Sequence, residues 1–403
     1  MKKKILFIET GMGFGGSAIS LYNVVSNMKE YEPVIIFYAG RQSGFVAKYK
    51  GFNAYYLNAK ITYTFTESCH RWIHKFIKNR LLDMLLKKFT ALIYTLYEEY
   101  LIFKIRSIAR NEGVSLVHLN NCIYPRLARM AEKLDLPVVV TLRAPIDCAG
   151  KDREAYKYIN RLIAPTRAIR QYAIDKLAFD SDKIEVIYNS VNTVDYARQE
   201  EGERIRDGFK LESSSIVVGM FARIIPWKGQ LVLAKAVDKL LMEGCDLICV
   251  FVGDASDGNN AYYTQLKQFI EMSQNSDRYV LAGYQENVYS YYNAVDIVVH
   301  PSFEGEAFGR IIIEAWASKK PIIVTDIAAS VELVVNKKTG LIVSEGEYGE
   351  LADAIYSLIM SQEFRSSLVN SGFEEVIKCF DARALTRKIE HIYSDIFSAR
   401  VSE

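Results

Sequence analysis

The sequence predicts an α/β protein of two Rossmann-like domains facing each other across a cleft, and three observations carry that expectation. Short apolar, β-branched runs alternate with amphipathic stretches along nearly the whole chain, as strands and helices do in parallel sheets. A chain of 403 residues with 50% hydrophobic content exceeds one comfortable core. The alternation is broken by a highly charged stretch, 191–213, that reads as a linker. Domains are therefore expected at 1–190 and 214–380.

The first strand is 4–9, KILFIE, followed by Gly11-Met-Gly-Phe-Gly15-Gly16 and a helix from Ser17 to about Met28. This strand–GxGxxG–helix order matches a dinucleotide fingerprint, which also needs an acid at the end of the second strand. The second strand is Val34–Tyr38, and no Asp or Glu lies between Glu32 and Glu67, which argues against NAD. The glycines still offer bare N–H groups and a positive helix end to a phosphate. A strand Ser115–Leu119 and a strand Pro137–Leu142 place Asn120 and Arg143 at strand C-termini, where open α/β sheets bind ligands. His118 reads as a packed strand residue, and Asp180-Ser-Asp182, in a loop without other acids, as chance.

The second domain opens with strand 215–222 and the run Arg223-Ile-Ile-Pro-Trp227-Lys228-Gly229 between strand and helix. Two cations five residues apart suit a leaving group on which negative charge builds. Strands 247–253 and 279–283 follow, the latter ending in Gly283-Tyr284. The stretch 296–318, DIVVHPSFEGEAFGRIIIEAWAS, then gives a buried strand, a break at Pro301 and Gly305, and a helix from Phe308 to about Ser318. Glu306 is placed at the mouth of a pocket, and Glu314 eight residues on, about two helical turns in. Carboxylates so placed are natural partners for sugar and ribose hydroxyls, although a capping Glu and a surface helix Glu fit the spacing equally well.

Glu306-Ala-Phe-Gly309 with Glu314 resembles the Glu-x7-Glu motif of the family-4 retaining glycosyltransferases of the GT-B fold, the group 1 glycosyl transferases. Gly15-Gly16, the Arg223/Lys228 pair and Gly283-Tyr284 match the family in order along the chain. The resemblance implies transfer from a nucleoside diphosphate sugar, UDP before GDP, to a glycan or lipid-linked acceptor in bacterial surface polysaccharide synthesis. It implies no cofactor and no required metal. Arg223 and Lys228 would hold the leaving diphosphate, Gly15 and Gly16 would cap it, and Glu306 would bind donor-sugar hydroxyls and Glu314 the ribose. Phe308, Gly309, Arg310, Gly283 and Tyr284 complete the implied donor site. The last helix, within 381–403, is expected to return to the first domain as the family's does. Departures are Asn120 and Arg143 where many members carry histidines, and Ala328-Ala329 where Gly-Gly is usual. A nucleotide-sugar epimerase, a phosphorylase, or a silent nucleotide-sugar-binding protein are the rival readings. No cofactor lysine is evident for a phosphorylase, and a silent copy has no reason to keep Arg223, Lys228, Glu306 and Glu314 together.

Six cysteines without CxxC or metal-ligand spacing read as reduced thiols of a cytoplasmic protein. The net charge of +2 hides an asymmetry: residues 1–190 carry 29 Lys/Arg against 17 Asp/Glu, and the rest 21 against 31. A basic half suggests an anionic surface as partner, and no motif for nucleic acid is present. Segment 70–110 reads as one or two long helices, with Arg71, Lys75, Lys78, Arg80, Lys87 and Lys88 beside apolar residues. Two readings fit: an amphipathic surface on the inner face of a membrane, or a face packed on the domain with solvated cations.

Overall fold

The computed structural model describes residues 2–401 except 12–14, 60–79, 146–149, 198, 209–214, 256–259 and 304–305. Its contacts divide into two units: Met1–Pro165 with Ile169–Ile187 and Thr386–Glu403, and Thr166–Ala168 with Tyr188–Leu385.

The first unit carries β1 (Lys4–Glu9), α1 (Gly16–Asn27), β2 (Glu32–Phe37), α2 (Ser43–Lys48), β3 (Asn53–Tyr56), α3 (Arg80–Glu112) and β4 (Val114–Asn121). It continues with α4 (Pro125–Glu132), β5 (Val138–Leu142), β6 (Arg161–Ala164), α5 (Arg167–Asp175) and β7 (Ile184–Val186). Its seven strands run in the order β3-β2-β1-β4-β5-β6-β7, every pair parallel. Chain order reverses between β1 and β4, and that is where a doubly wound sheet opens its binding crevice. Ile5, Leu6, Phe7 and Ile8 are fully buried, as a strand covered on both faces requires.

The second unit carries α6 (Gln199–Gly208), β8 (Ile216–Phe221), α7 (Gln230–Met242), β9 (Leu247–Val252), α8 (Asn260–Met272), β10 (Tyr279–Gly283) and α9 (Val288–Ala294). There follow β11 (Ile297–His300), α10 (Arg310–Ala317), β12 (Ile322–Thr325), α11 (Ala328–Leu333), β13 (Leu341–Val343), α12 (Tyr348–Met360) and α13 (Gln362–Cys379), and the last helix, α14 (Ala382–Val401), belongs from Thr386 on to the first unit. The order of its sheet is β10-β9-β8-β11-β12-β13, with the reversal between β8 and β11. Alternate strand residues feed two cores. Val218, Cys249, Phe251, Ile297 and Val299 face one, while Val217, Val250, Val298, Ile322 and Val324 face the other.

The α/β fold with two parallel sheets is as expected. The helix expected from Phe308 starts at Arg310, because Gly309 adopts the left-handed conformation as its N-cap. The short α2 and β3 were not anticipated. Of the 70–110 segment, only the part from Arg80 is described, and it lies in one helix of 33 residues, α3. Arg71, Lys75 and Lys78 fall outside the described residues. Among the described residues Cys122, Cys245, Cys249 and Cys379 form no disulfide, and Asp180 accepts from the Asp182 backbone N–H at 3.1 Å in a local turn.

Candidate functional site

In the second unit the residues at the β8/β11 reversal converge. The loop after β8 holds Arg223, exposed to solvent, and Lys228, whose side chain is 13% exposed. Lys228 lies over the Trp227 ring at 4.2 Å and forms a salt bridge with Glu306, itself 16% exposed. Gly229 makes this approach feasible. It sits at φ +82, and a Cβ there would lie 2.1 Å from the Pro301 carbonyl oxygen. The Lys228 loop and the start of the Glu306 loop are therefore in backbone contact.

Glu306 Oε1 also accepts from the Gly309 N–H at 3.2 Å, and the His300 Nε2 lies 3.6 Å from Oε2. Burial pushes the Glu306 carboxyl upward, but the Lys228 ammonium, the His300 ring and the Gly309 N–H outweigh it and hold it below the usual carboxylate range. Burial, aided by the Lys228 charge, holds His300 at about 3, so the ring is neutral.

Glu314, on α10, is 9% exposed. Its Oε1 pairs with Arg310 at 2.9 Å and its Oε2 accepts from Tyr292 at 2.9 Å. Tyr292 is stacked on Phe221 at 3.7 Å. Arg310, expected at the ligand, is thus spent on Glu314 and on the Ser190 carbonyl at 3.2 Å. Phe308, also expected there, is 3% exposed and packs between Tyr188 and Phe380. Gly283 ends β10 at φ +67, and Tyr284 beyond it is 58% exposed.

In the first unit the β1/β4 reversal carries a different arrangement. Glu9, the last residue of β1, pairs in register with Asn120 of β4 and is fully buried. Its Oε1 accepts from the Gly11 N–H at 2.7 Å and from Ser17 at 3.2 Å, and its Oε2 accepts from the Asn120 amide. Asn120 in turn accepts from Arg143 Nε at 2.9 Å. Burial pushes the Glu9 carboxyl up against the pull of these donors and of Arg143. The Asn120 amide, expected to face a ligand, is instead buried at 1% exposure and engaged on both sides within this network. Gly15 caps α1 in an extended conformation and Gly16 begins the helix. His118 packs as expected, held between Tyr393 at 2.5 Å and Thr141 at 2.7 Å, and burial keeps it neutral at about 3.

Sequence reading missed Glu9, His300 and Tyr292. An acid ending a strand just before a glycine loop was the available signal for the first; the other two carried none. A largely apolar depression of about 470 Å³ flanks the Lys228 loop, lined by Pro226, Gly229, Tyr262 and Phe303, with no charged side chain in its wall. Among the described residues, no three His, Cys, Asp or Glu side chains converge as a metal site.

Two family descriptions match the chain: glycosyl transferases group 1 over residues 202–375, and glycosyltransferase family 4 over 15–195. The capsular polysaccharide biosynthesis glycosyltransferase CapM of Staphylococcus aureus is 25% identical over 58% of this chain and 61% of its own length. The lipopolysaccharide core biosynthesis mannosyltransferase LpsB of Rhizobium meliloti is 24% identical over 52% and 60%. The chain thus spans less than two thirds of both relatives. A crystal structure of a glycosyltransferase from Rickettsia africae superposes with a TM-score of 0.79 at 24% identity, covering 98% of this chain and 99% of that one. Anabaena HepE in complex with UDP-glucose gives 0.76 at 20% identity, covering 97% and 99%. These two likenesses establish the fold. The two family matches follow each other in sequence order and together take in most of the chain, which belongs to the group 1 glycosyltransferases, family 4, of the GT-B fold.

Proposed function

We propose that the chain is a metal-independent, retaining glycosyltransferase. It would move a hexose from a nucleoside diphosphate sugar, UDP before GDP, to a glycan or lipid-linked acceptor in bacterial surface polysaccharide synthesis. The observation that carries this reading is the desolvated Lys228–Glu306 pair at the β8/β11 reversal, with Arg223 exposed five residues upstream. A diphosphate arriving here meets one open cation at once and draws the second from its carboxylate. Charge then develops on the leaving group against two cations, Lys228 in a desolvated setting and Arg223 from the solvent side. Glu306, released from Lys228, becomes an acceptor for donor-sugar hydroxyls. Glu314 Oε1 takes two Arg310 nitrogens, whereas Oε2 keeps a lone pair beyond its bond to Tyr292, which leaves room for a ribose hydroxyl. Gly15 and Gly16 offer the N-terminus of α1 to phosphate. Capsule and lipopolysaccharide synthesis in the names of CapM and LpsB, and UDP-glucose in that of the HepE complex, support the choice of acceptor class and donor.

The test is a thermal-shift screen of nucleotide sugars. A ligand at 100 times its dissociation constant stabilises by about 2.7 kcal/mol. Turnover with the best ligand is then followed with and without EDTA, and the product anomer is read by NMR. An inverted anomer, loss of turnover on chelation, or no stabilisation by any nucleotide sugar each overturns the corresponding part.

A peripheral site on the cytoplasmic face of the membrane is proposed with it, carried by α3. Leu85, Phe89, Leu92, Leu96 and Phe103 are all more than half exposed and recur at helical spacing. Of the two acids that count against such a face, Glu98 is turned inward at 5% exposure, bound by Tyr94, Tyr124 and Arg126, whereas Glu99 stays 63% exposed with Arg126 at 3.4 Å as its counter-charge. Among the described residues no helix is long and apolar enough to cross a membrane. Sedimentation with anionic liposomes at low and high salt tests this. Binding that survives charge reversal at Lys87 and Lys88 together with Phe89→Ser refutes it.

A further inference from the structure

His300 ends β11 fully buried, and its Nε2 has no hydrogen-bond partner among the described residues. The nearest polar atom recorded for it is Glu306 Oε2, at 3.6 Å. On the other side of the ring, Nδ1 lies 3.3 Å from the hydroxyl of Ser302, which is itself fully buried. A neutral imidazole has one N–H and one lone pair. A lone pair on Nε2 would face an ionised carboxylate, whereas an N–H there faces an acceptor. The proton therefore sits on Nε2, and Ser302 donates to Nδ1. The ring is thus a donor already aimed at Glu306, a few tenths of an ångström beyond bonding distance.

This matters because Lys228 has two claims on it. In the resting arrangement its ammonium satisfies Glu306. Once it turns to a diphosphate, the hydrogen bond left to Glu306 among the described residues is the Gly309 N–H on Oε1, and an underbonded buried carboxylate tends to protonate or reorient. Room for the ring to close the gap exists because residue 309 is glycine: a Cβ there would lie 3.4 Å from His300 Nε2.

We propose that His300, set by Ser302, is a positioning residue that takes over Glu306 Oε2 when Lys228 moves to the leaving diphosphate. The proposal rests on the donor-site reading given above. It predicts that removing the Nε2 donor slows turnover and weakens the binding of UDP, whose diphosphate draws Lys228 from Glu306, while leaving that of uridine, which carries no phosphate, unaffected.

The experiment uses the full chain. His300→Leu keeps the bulk and loses the donor; His300→Gln returns an amide N–H near the place of Nε2; Ser302→Ala leaves the ring but releases its tautomer. With a nucleotide sugar that the wild type turns over, kcat is expected to fall at least tenfold in His300→Leu and about threefold in Ser302→Ala. His300→Gln should recover most of the rate and of the UDP affinity that His300→Leu loses, while uridine should bind within twofold throughout. Wild-type kcat in His300→Leu, or a loss in His300→Gln as deep as in His300→Leu, overturns the proposal. A ligand-free double-mutant cycle reads the same contact without turnover. His300→Leu should lower Tm more in a Lys228→Met background than in the wild type, since the ring is then the remaining side-chain donor to Glu306. Equal shifts in the two backgrounds overturn it. A wild type that turns over no nucleotide sugar defeats the donor-site reading, while the cycle still decides whether His300 serves Glu306.

Discussion

Both units end a switch-point strand in a buried polar cluster, but they satisfy their carboxylates differently. In the first unit, Glu9 is held by uncharged donors: Gly11 N–H, Ser17 and Asn120, with Arg143 one hydrogen bond further out. In the second, Glu306 and Glu314 are held by Lys228 and Arg310. The difference separates two uses of a buried acid. A carboxylate fixed by backbone and amide groups ties strand β1, strand β4 and the start of the glycine loop together, and a ligand cannot bid for those donors. A carboxylate fixed by a lysine on a loop has a partner that a polyphosphate can outbid. The first cluster builds shape and the second can exchange.

The largest test of that contrast is Lys228→Ala. It is expected to raise the barrier by about 2.7–4 kcal/mol, read as kcat/KM with the active nucleotide sugar, while the first unit keeps its hydrogen-exchange protection. Wild-type turnover would end the contrast at its functional side. Next in size, Asn120→Ala should destabilise the first unit by about 1–3 kcal/mol, because Glu9 loses a donor while fully buried. The check is urea unfolding followed by exchange at β1 and β4, with kcat/KM changing less than in Lys228→Ala.

The smallest effect is one the two units share. His118 and His300 are each held at about 3 by burial, reinforced by a nearby cation. An unfolded histidine titrates near 6.5. Below that pH the unfolded chain takes up a proton that the folded ring refuses, so stability falls as pH drops from 6.5 toward 3. The slope is about 1.4 kcal/mol per pH unit for each ring. Exchange measured at β4 and β11 between pH 6.5 and 5 should show parallel losses, and His118→Asn should abolish the one at β4 alone. Equal losses at β4 in both proteins would remove that histidine from the account.

The sequence made the second cluster more legible than the first, for a physical reason. Arg223 and Lys228 share one loop, and Glu306 and Glu314 share one strand–loop–helix joint, so local spacing revealed them. Glu9 and Asn120 lie 111 residues apart. They meet only through the register of β1 on β4, and nothing local encodes that register. Burial was equally invisible. Phe308 and Arg310 lie in the right motif, yet one is consumed by the core and the other by Glu314. The regular elements were read well where apolar runs were long. They were missed at α2 and β3, which span 6 and 4 residues and bury too little to impose a period.

The division of the chain has a consequence for the order in which the molecule is completed. Residues 386–401 belong to the first unit although the whole second unit is made before them. They supply Tyr393 to His118, and Glu390, buried at 3%, to the backbone N–H groups of Lys29 and Glu30 at 2.7 Å each. During synthesis the N-terminal sheet emerges first, yet three polar groups of its unit, the His118 ring nitrogen and the Lys29 and Glu30 N–H groups, wait for these partners until the last helix leaves the ribosome. The second unit, nearly continuous in the chain, has no such wait. The half made first is therefore finished last, and a fragment ending near residue 190 leaves the ribosome without the helix that closes its own core.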